Sequence, residues 1–347
     1  MSHCTATIDL AALSRNVRTL KAAVGGPDLM AVVKADAYGH GLVPCAQAAV
    51  DGGAGWLATA LLSEAITLRD AGVSVPTLAW LHTVGDRFQE CVATGIDIGV
   101  NGLRSLEEIA AAARAVGRPA RVHVKVDTGL GRNGVTLADL PDLIAALVRC
   151  RDVVCTVGVM SHFAYADEPS NPTIGLQAER FVEAVELIEA AGIELEVKHL
   201  SNSAATLGLP HTYFNLVRPG VAMYGLSPGD EVGTPAQHDL TAVMTLTSTI
   251  ALIKSVPAGT GVSYAHQYHT SADTRLALVP VGYADGLPRA ASNRGPVHMG
   301  GKTLTVAGRV CMDQFVVDIG DLDVREGDRV VIFGDAALGY PTAEDWG

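Results

Sequence analysis

A chain of 347 residues exceeds what one ordinary hydrophobic core organises, so two domains are expected. Hydrophobic residues make up 48% and charged residues 18%, and no run of about eighteen apolar residues marks a membrane span. The net charge of −12, without a basic tract, argues against nucleic acid as a partner. The opening MSHCTATIDLAALSRNV has no apolar stretch of signal-peptide length, so the expected location is cytoplasmic. Six cysteines occur without a CxxC pair, which reads as reduced thiols and not as a metal site.

From about residue 11 to 235, short β-rich runs alternate with longer amphipathic ones. Strands are expected near residues 29–35, 56–60, 77–81, 96–100, 121–127, 155–161, 196–200 and 213–217. Helical spacing of apolar positions marks 103–116, 137–149 and 177–191. Eight strands separated by helices is the count of a (β/α)8 TIM-type barrel. An open dinucleotide-binding sheet would place a glycine-rich turn after the first strand, and none is present. Beyond Thr241 the chain becomes rich in Thr, Val and Ile with Gly and Pro turns. Runs at 276–281, 303–306, 315–319 and 329–333 read as strands of a mainly β domain. The expected organisation is a barrel over residues 11–235 and a β domain built from 1–10 with 236–347.

A barrel places its chemistry at the C-terminal ends of its strands. Lys34 ends the first strand inside AVVKADAYGHG. Burial there favours the neutral amine, the form that condenses with an aldehyde. Lys125 and Asp127 end the fifth strand, with Arg132 in the loop behind. His162 ends the sixth, Asn202 and Ser203 follow the seventh, and Arg218 closes the eighth. Pyridoxal chemistry needs such a lysine, a phosphate cradle, a partner for the ring nitrogen and bases at the substrate α-carbon. Asn202, Ser203, Gly220 and Val221 offer backbone N–H groups and a hydroxyl for the phosphate, and Tyr38 adds its phenol. An arginine at the ring nitrogen, Arg218, does not surrender its proton, so the ring stays neutral and reprotonation of the α-carbon is favoured. Tyr264, in GVSYAH, is the candidate second base for the opposite face. A phenol of ordinary pKa near ~10 needs cationic neighbours for that role, and His162 and Arg132 are candidates.

The strings AVVKADAYGHG, KVDTGLGRNG, SHFAYAD, HLSNSAA, VRPGVAMYG, GVSY, GYADG and GRVCMDQ together resemble those of the alanine racemases, from residue 6 to about 335. The resemblance implies pyridoxal 5'-phosphate on Lys34 and interconversion of L- and D-alanine for peptidoglycan. It implies a head-to-tail homodimer in which Tyr264 and Met312 reach the partner's active site. Lys34 then handles the α-proton of D-alanine and Tyr264 that of L-alanine. Arg132 and the Met312 backbone hold the substrate carboxylate, His162 supports the ring region, and His199 holds Arg218. Tyr283, Arg289 and Asp167 resemble residues of the substrate entrance. Lys125 is the position where an N-carboxyl group, when present, orients Arg132.

Serine or broad-specificity racemisation and a non-catalytic pyridoxal-phosphate-binding protein stay open as alternatives. Two departures stand out. Ala265 replaces the usual glycine after the GVSY tyrosine, a mild change if the backbone there is ordinary. The sequence stops at Gly347, short of the terminal strands and phosphate-contacting tyrosine that the resemblance implies, and weaker cofactor retention and dimerisation are expected from that.

Overall fold

The computed structural model describes residues 3–347. It divides into two compact units, one spanning Leu10–Thr241 and the other combining the segment that ends at Asp9 with Ala242–Gly347. The first unit runs to Thr241, beyond the boundary expected at residue 235. The physical reason is Asn16: its Nδ2 donates to the Thr241 carbonyl at 2.8 Å and its Oδ1 accepts the Thr241 N–H at 2.9 Å. These two bonds tie the last residues of the segment to the helix Leu10–Val24 of the barrel.

Strand β1 (Cys4–Ile8) belongs to the second unit. The barrel strands are β2 (Asp28–Val32), β3 (Trp56–Leu61), β4 (Thr77–Leu81), β5 (Asp97–Val100), β6 (Ala120–Lys125), β7 (Val154–Met160), β8 (Val197–His199) and β9 (Leu216–Val217). All pair in parallel, in the order β8-β7-β6-β5-β4-β3-β2-β9. The eight strands expected from the sequence are therefore present, as are helices Leu103–Val116, Leu140–Arg149 and Thr173–Ala190. Side chains join the seam between β8 and β9. The Asn215 side chain accepts the Lys198 N–H at 2.7 Å and donates to the Glu196 carbonyl at 2.8 Å.

Strand alternation sorts the side chains. In β6, Val122 and Val124 pack outward against helix residues such as Leu106, Ile109 and Leu143. Alternate residues His123 and Lys125 share the opposite face and are buried. Met30, Trp56, Leu78, Val157 and Leu216 form a further apolar cluster among the strands.

In the second unit, β10 (Met244–Thr249), β11 (Leu252–Val256), β12 (Gly261–Val262), β13 (Tyr268–His269), β14 (Thr274–Val279), β15 (Pro296–Met299), β16 (Lys302–Thr305), β17 (Phe315–Asp318) and β18 (Arg329–Phe333) join β1 to make a five-stranded, a three-stranded and a two-stranded sheet. The four runs read from sequence are β14, β16, β17 and β18. Strand β10 escaped that reading because MTLTST is half-buried and polar at alternate positions; its partner β1 lies at the other end of the chain. The core holds Val279, Val297, Phe315, Val330 and Ile332, closed by Trp346, whose indole N–H donates to the Ile332 carbonyl at 2.9 Å.

Candidate active site

The segment after β2 is a left-handed turn. Ala35, Asp36, Ala37 and Tyr38 all have φ between 53° and 56°, followed by Gly39 at 79°. Each L-residue there costs about 1–2 kcal/mol, so the surroundings must hold the turn. Glu64 does much of this: Oε1 accepts the Ala35 N–H at 2.6 Å, and Oε2 accepts the N–H groups of Ala60 and Leu61 at 3.1 and 3.0 Å. Asp36 Oδ1 accepts the Leu42 N–H at 2.7 Å, and the Tyr38 ring lies 4.8 Å from that of Tyr224. The turn brings Lys34 and Tyr38 to one cavity, with the Lys34 Nζ 5.8 Å from the Tyr38 ring centre.

That cavity, of about 800 Å3, is lined from the C-terminal ends of the barrel strands. Lys34, Tyr38, Lys125, Arg132, His162, Asp167, Asn202, Ser203, Arg218, Gly220 and Val221 all border it, so eleven expected site residues meet in one place. Four cations face one carboxylate, Asp167, which suits ligands carrying several negative charges. Burial, and then the Arg132 charge, lower the pKa of Lys34, opposed by Glu64. Lys125 is pushed further, to about 8, by burial and by Arg132, Arg218 and Lys34. His162 is lowered to about 3 by burial and the Arg218 charge, so it is neutral at pH 7. Asp127 accepts the Gly129 and Gly131 N–H groups at 2.9 and 3.1 Å and shapes the loop that carries Arg132.

Lysine 125 yields a stability prediction. Its folded pKa lies below the ordinary 10.5, so between about pH 8 and 10.5 the unfolded chain binds the extra proton. Its contribution to stability therefore improves as pH rises through that window and is unfavourable at pH 7. In carbon-dioxide-free buffer, Lys125→Met is expected to stabilise the cofactor-free protein at pH 7 by roughly 1–3 kcal/mol, an advantage that shrinks toward pH 10. Paired denaturant titrations at both pH values check this.

Arg218 is held by its Nη groups. Nη1 donates to the His199 carbonyl at 2.6 Å and to His199 Nδ1 at 3.1 Å. Nη2 donates to the carbonyls of Ser161 and Leu200 at 2.6 and 3.1 Å, and reaches His162 Nδ1 at 3.4 Å. Among the described residues no acceptor serves its Nε–H, and the side chain borders the cavity. That is a donor ready for a ring nitrogen.

The phosphate cradle differs from expectation at one point. The Gly220 N–H was expected to face a phosphate, but it donates to Ser203 Oγ at 2.8 Å, as the Ala222 N–H does at 3.3 Å. Two accepted bonds occupy the Ser203 lone pairs and leave its O–H to donate. The Val221 N–H has no protein acceptor among the described residues. Asn202 caps the following helix by accepting the Ala205 N–H at 3.0 Å. Glycine at 220 is a matter of space: an added Cβ would lie 2.3 Å from the Tyr38 hydroxyl. Gly220→Ala is therefore expected to turn Tyr38 aside and weaken pyridoxal-phosphate affinity about tenfold, the loss of one hydrogen bond to a charged group. Fluorescence titration with the cofactor measures it. The residues present thus fit a planar cofactor with a phosphate at one end and a ring nitrogen at the other.

Tyr264, Tyr283, Arg289 and Met312 belong to the second unit. Tyr264, Tyr283 and Met312 are 68%, 41% and 53% exposed, and Arg289 is also exposed. Hydrogen bonds join the loops that carry three of them, Tyr264, Tyr283 and Met312. The Ser263 hydroxyl donates to the Arg309 carbonyl at 2.8 Å, the Tyr283 N–H to the Cys311 carbonyl at 3.0 Å, and the Ala284 N–H to the Met312 carbonyl at 2.9 Å. The Met312 N–H takes no acceptor among the described residues, which leaves it for an anion. The change to Ala265 is not mild. Its φ is 60°, and those of Ser263 and His266 are 60° and 42°, so the loop carrying Tyr264 keeps a left-handed alanine where glycine would cost nothing.

Several residues that shape the site were not expected from sequence. Glu64 holds the left-handed turn. Gln177 donates to the His162 carbonyl at 3.1 Å and accepts the Ala164 N–H at 2.9 Å. His123 sits behind His199, 2.8 Å away. Only His123 left a trace: basic residues at 121, 123 and 125 alternate with valine, a polar stripe on one face of a buried strand.

A depressed lysine amine, a donor arginine without an acid beside it and a hydroxyl-lined anion cradle at a barrel mouth define an enzyme working through a carbonyl cofactor that carries a phosphate. The alanine racemase N-terminal domain family matches residues 8–228, and its C-terminal domain family matches residues 243–347. An alanine racemase of Frankia casuarinae is 53% identical over 343 residues, covering 98% of this chain and 89% of that protein. That of Streptomyces coelicolor is 52% identical over 348 residues, again covering 98% and 89%. A crystal structure of alanine racemase from D-cycloserine-producing Streptomyces lavendulae superposes with a TM-score of 0.98 at 52% identity, over 100% of this chain and 91% of that one. The chain belongs to the alanine racemase family.

Proposed function

We propose that the chain interconverts L- and D-alanine as a homodimer, with pyridoxal 5'-phosphate in the barrel cavity, in the cytoplasm, supplying D-alanine for peptidoglycan. The observation that carries the reading is a low-pKa lysine amine sharing one cavity with an arginine whose Nε–H is unused. The bound cofactor supplies the electron sink that acidifies the substrate Cα–H.

Lys34 would hold the cofactor through its amine, and the free amine would exchange a proton with the substrate α-carbon from one face. The Arg218 Nε–H would donate to the ring nitrogen, and its charge, kept at pH 7 although burial lowers the pKa to about 9, would keep that nitrogen from taking a proton of its own. Ser203, Tyr38 and Val221 would donate to the phosphate. Arg132 and the partner subunit's Met312 N–H hold the substrate carboxylate, which fixes the α-hydrogen along the line between the two bases. The partner subunit's Tyr264 serves the other face. Exposed Tyr264 and Met312, on loops joined by hydrogen bonds of Ser263 to Arg309 and of Ala284 to Met312, support a dimer in which each β unit completes a neighbour's cavity. No helix among the described residues is long and apolar enough to cross a membrane.

Incubation of the cofactor-loaded protein with L-alanine in heavy water tests the reading. Deuterium at Cα together with D-alanine is the expected result; exchange with serine and not alanine, or no exchange in a loaded dimer, would overturn it.

A further inference from the structure

Behind Arg218 a line of buried polar side chains leaves the cavity and crosses the barrel interior. Arg218 Nη1 lies 3.1 Å from His199 Nδ1, and His199 Nε2 lies 2.8 Å from His123 Nδ1. His123 Nε2 lies 3.1 Å from Asp97 Oδ2, and Asp97 Oδ1 accepts from Arg121 Nε at 2.8 Å. His199 and His123 are fully buried and Asp97 is 1% exposed. Asp97 opens β5 and Arg121 is the second residue of β6, so the line ends at the face of the barrel opposite the cavity. Residues at that face ordinarily serve stability. A carboxylate and two imidazoles are a costly way to fill space that Met30, Leu78 and Val157 fill nearby with apolar atoms.

The two ends of the line dictate where every proton sits. A guanidinium only donates, so His199 Nδ1 must accept. Burial and the Arg218 charge hold the His199 pKa well below the ordinary value, so the ring is neutral and its hydrogen is on Nε2. His123 Nδ1 therefore accepts, and its Nε2–H points at Asp97. Burial alone would raise the Asp97 carboxyl, but the His123 hydrogen bond and Arg121 outweigh it, so Asp97 is an anion that only accepts. Reversing both imidazoles would set His199 Nδ1–H against an arginine N–H and face Asp97 with a bare nitrogen. Adding a proton to His123 would force the same N–H against N–H contact at Arg218. One neutral arrangement satisfies every pair.

We propose that Asp97 is a positioning residue for racemisation, fixing the tautomers of His123 and His199 and thereby holding the Arg218 guanidinium with its Nε–H turned into the cavity. The catalytic consequence rests on the reading of Arg218 as partner of the ring nitrogen; the proton order does not.

Asp97→Asn keeps the shape and reverses the order. The Arg121 donors draw the amide oxygen, so the amide NH2 faces His123 Nε2 and the His123 hydrogen moves to Nδ1. The conflict propagates to Arg218, as the analogous change does in a serine-protease triad. Nitrogen-15 spectra of histidine-labelled protein are expected to show Nε2–H tautomers for His123 and His199 in the native chain. In Asp97→Asn they become inverted or mixed, with a shifted absorbance of bound cofactor and kcat lowered about ten- to a thousandfold at near-constant KM. An Nδ1–H tautomer at His199 in the native protein overturns the proposal even if the variant fails to fold. So does a variant with lower Tm but unchanged kcat and absorbance. If Arg218→Lys also leaves kcat and absorbance unchanged, the reading of Arg218 is what failed, and the catalytic role of Asp97 falls with it.

Discussion

Replacing Lys34 with Ala is expected to abolish the visible absorbance of bound pyridoxal phosphate and to lower racemisation by at least about 10^4-fold. A positioned general base contributes about 10^2–10^4, and the lost covalent hold on the cofactor adds to that. The geometry makes the test sharper than the sequence alone does, because the cavity holds a second candidate amine. Lys125 borders the same space, is more deeply buried, and is lowered to about 8, so more of it is neutral at pH 7 than of a lysine at the ordinary 10.5. Lys34 has what Lys125 lacks, a place beside Tyr38 and a left-handed turn pinned by Glu64 that directs it. Borohydride reduction and peptide mapping should therefore put the label on Lys34, with Lys125→Ala still labelled and Lys34→Ala not. A label on Lys125 would reverse the two roles.

Tyr264→Phe is expected to leave fold and cofactor absorbance intact and to reduce turnover from L-alanine about 10^2–10^4-fold. The side chain is 68% exposed within its own subunit, so losing the hydroxyl changes stability by no more than about 0.5 kcal/mol. The effect on exchange should be one-sided. Deuterium should still enter D-alanine from solvent through Lys34, while wash-in from L-alanine is lost. Racemisation itself must fall equally from both enantiomers, whose equilibrium constant is one, so the test is the exchange: wash-in retained equally by L-alanine and D-alanine would remove Tyr264 as the base for L-alanine.

Much of the site was legible because a parallel barrel forces chemistry to strand ends. Lys34, Lys125, His162, Asn202 and Arg218 each follow or close an apolar run, and all five border one cavity. Other features were not legible. Four consecutive left-handed residues in ADAY contradict their own propensities, and only Glu64, 29 positions on from Ala35, explains how they are held. The Gly220 N–H is taken by Ser203 across 17 positions, a pairing that no local pattern encodes. The cost of Ala265 depends on a left-handed backbone angle that the residue string does not carry.

The amino-acid sequence alone determined the alternation of strand and helix, the strand ends that carry reactive groups and the kinship that names the cofactor, since these follow from local periodicity and short contiguous strings. Tertiary structure alone decided which of two lysines is the more depressed, which donors stay free for a ligand, and how Arg218 is tethered through His199 and His123 to Asp97. Those properties come from burial and from hydrogen bonds between distant positions. The free energy of a charge or a proton depends on everything packed around it, not on its neighbours in the chain.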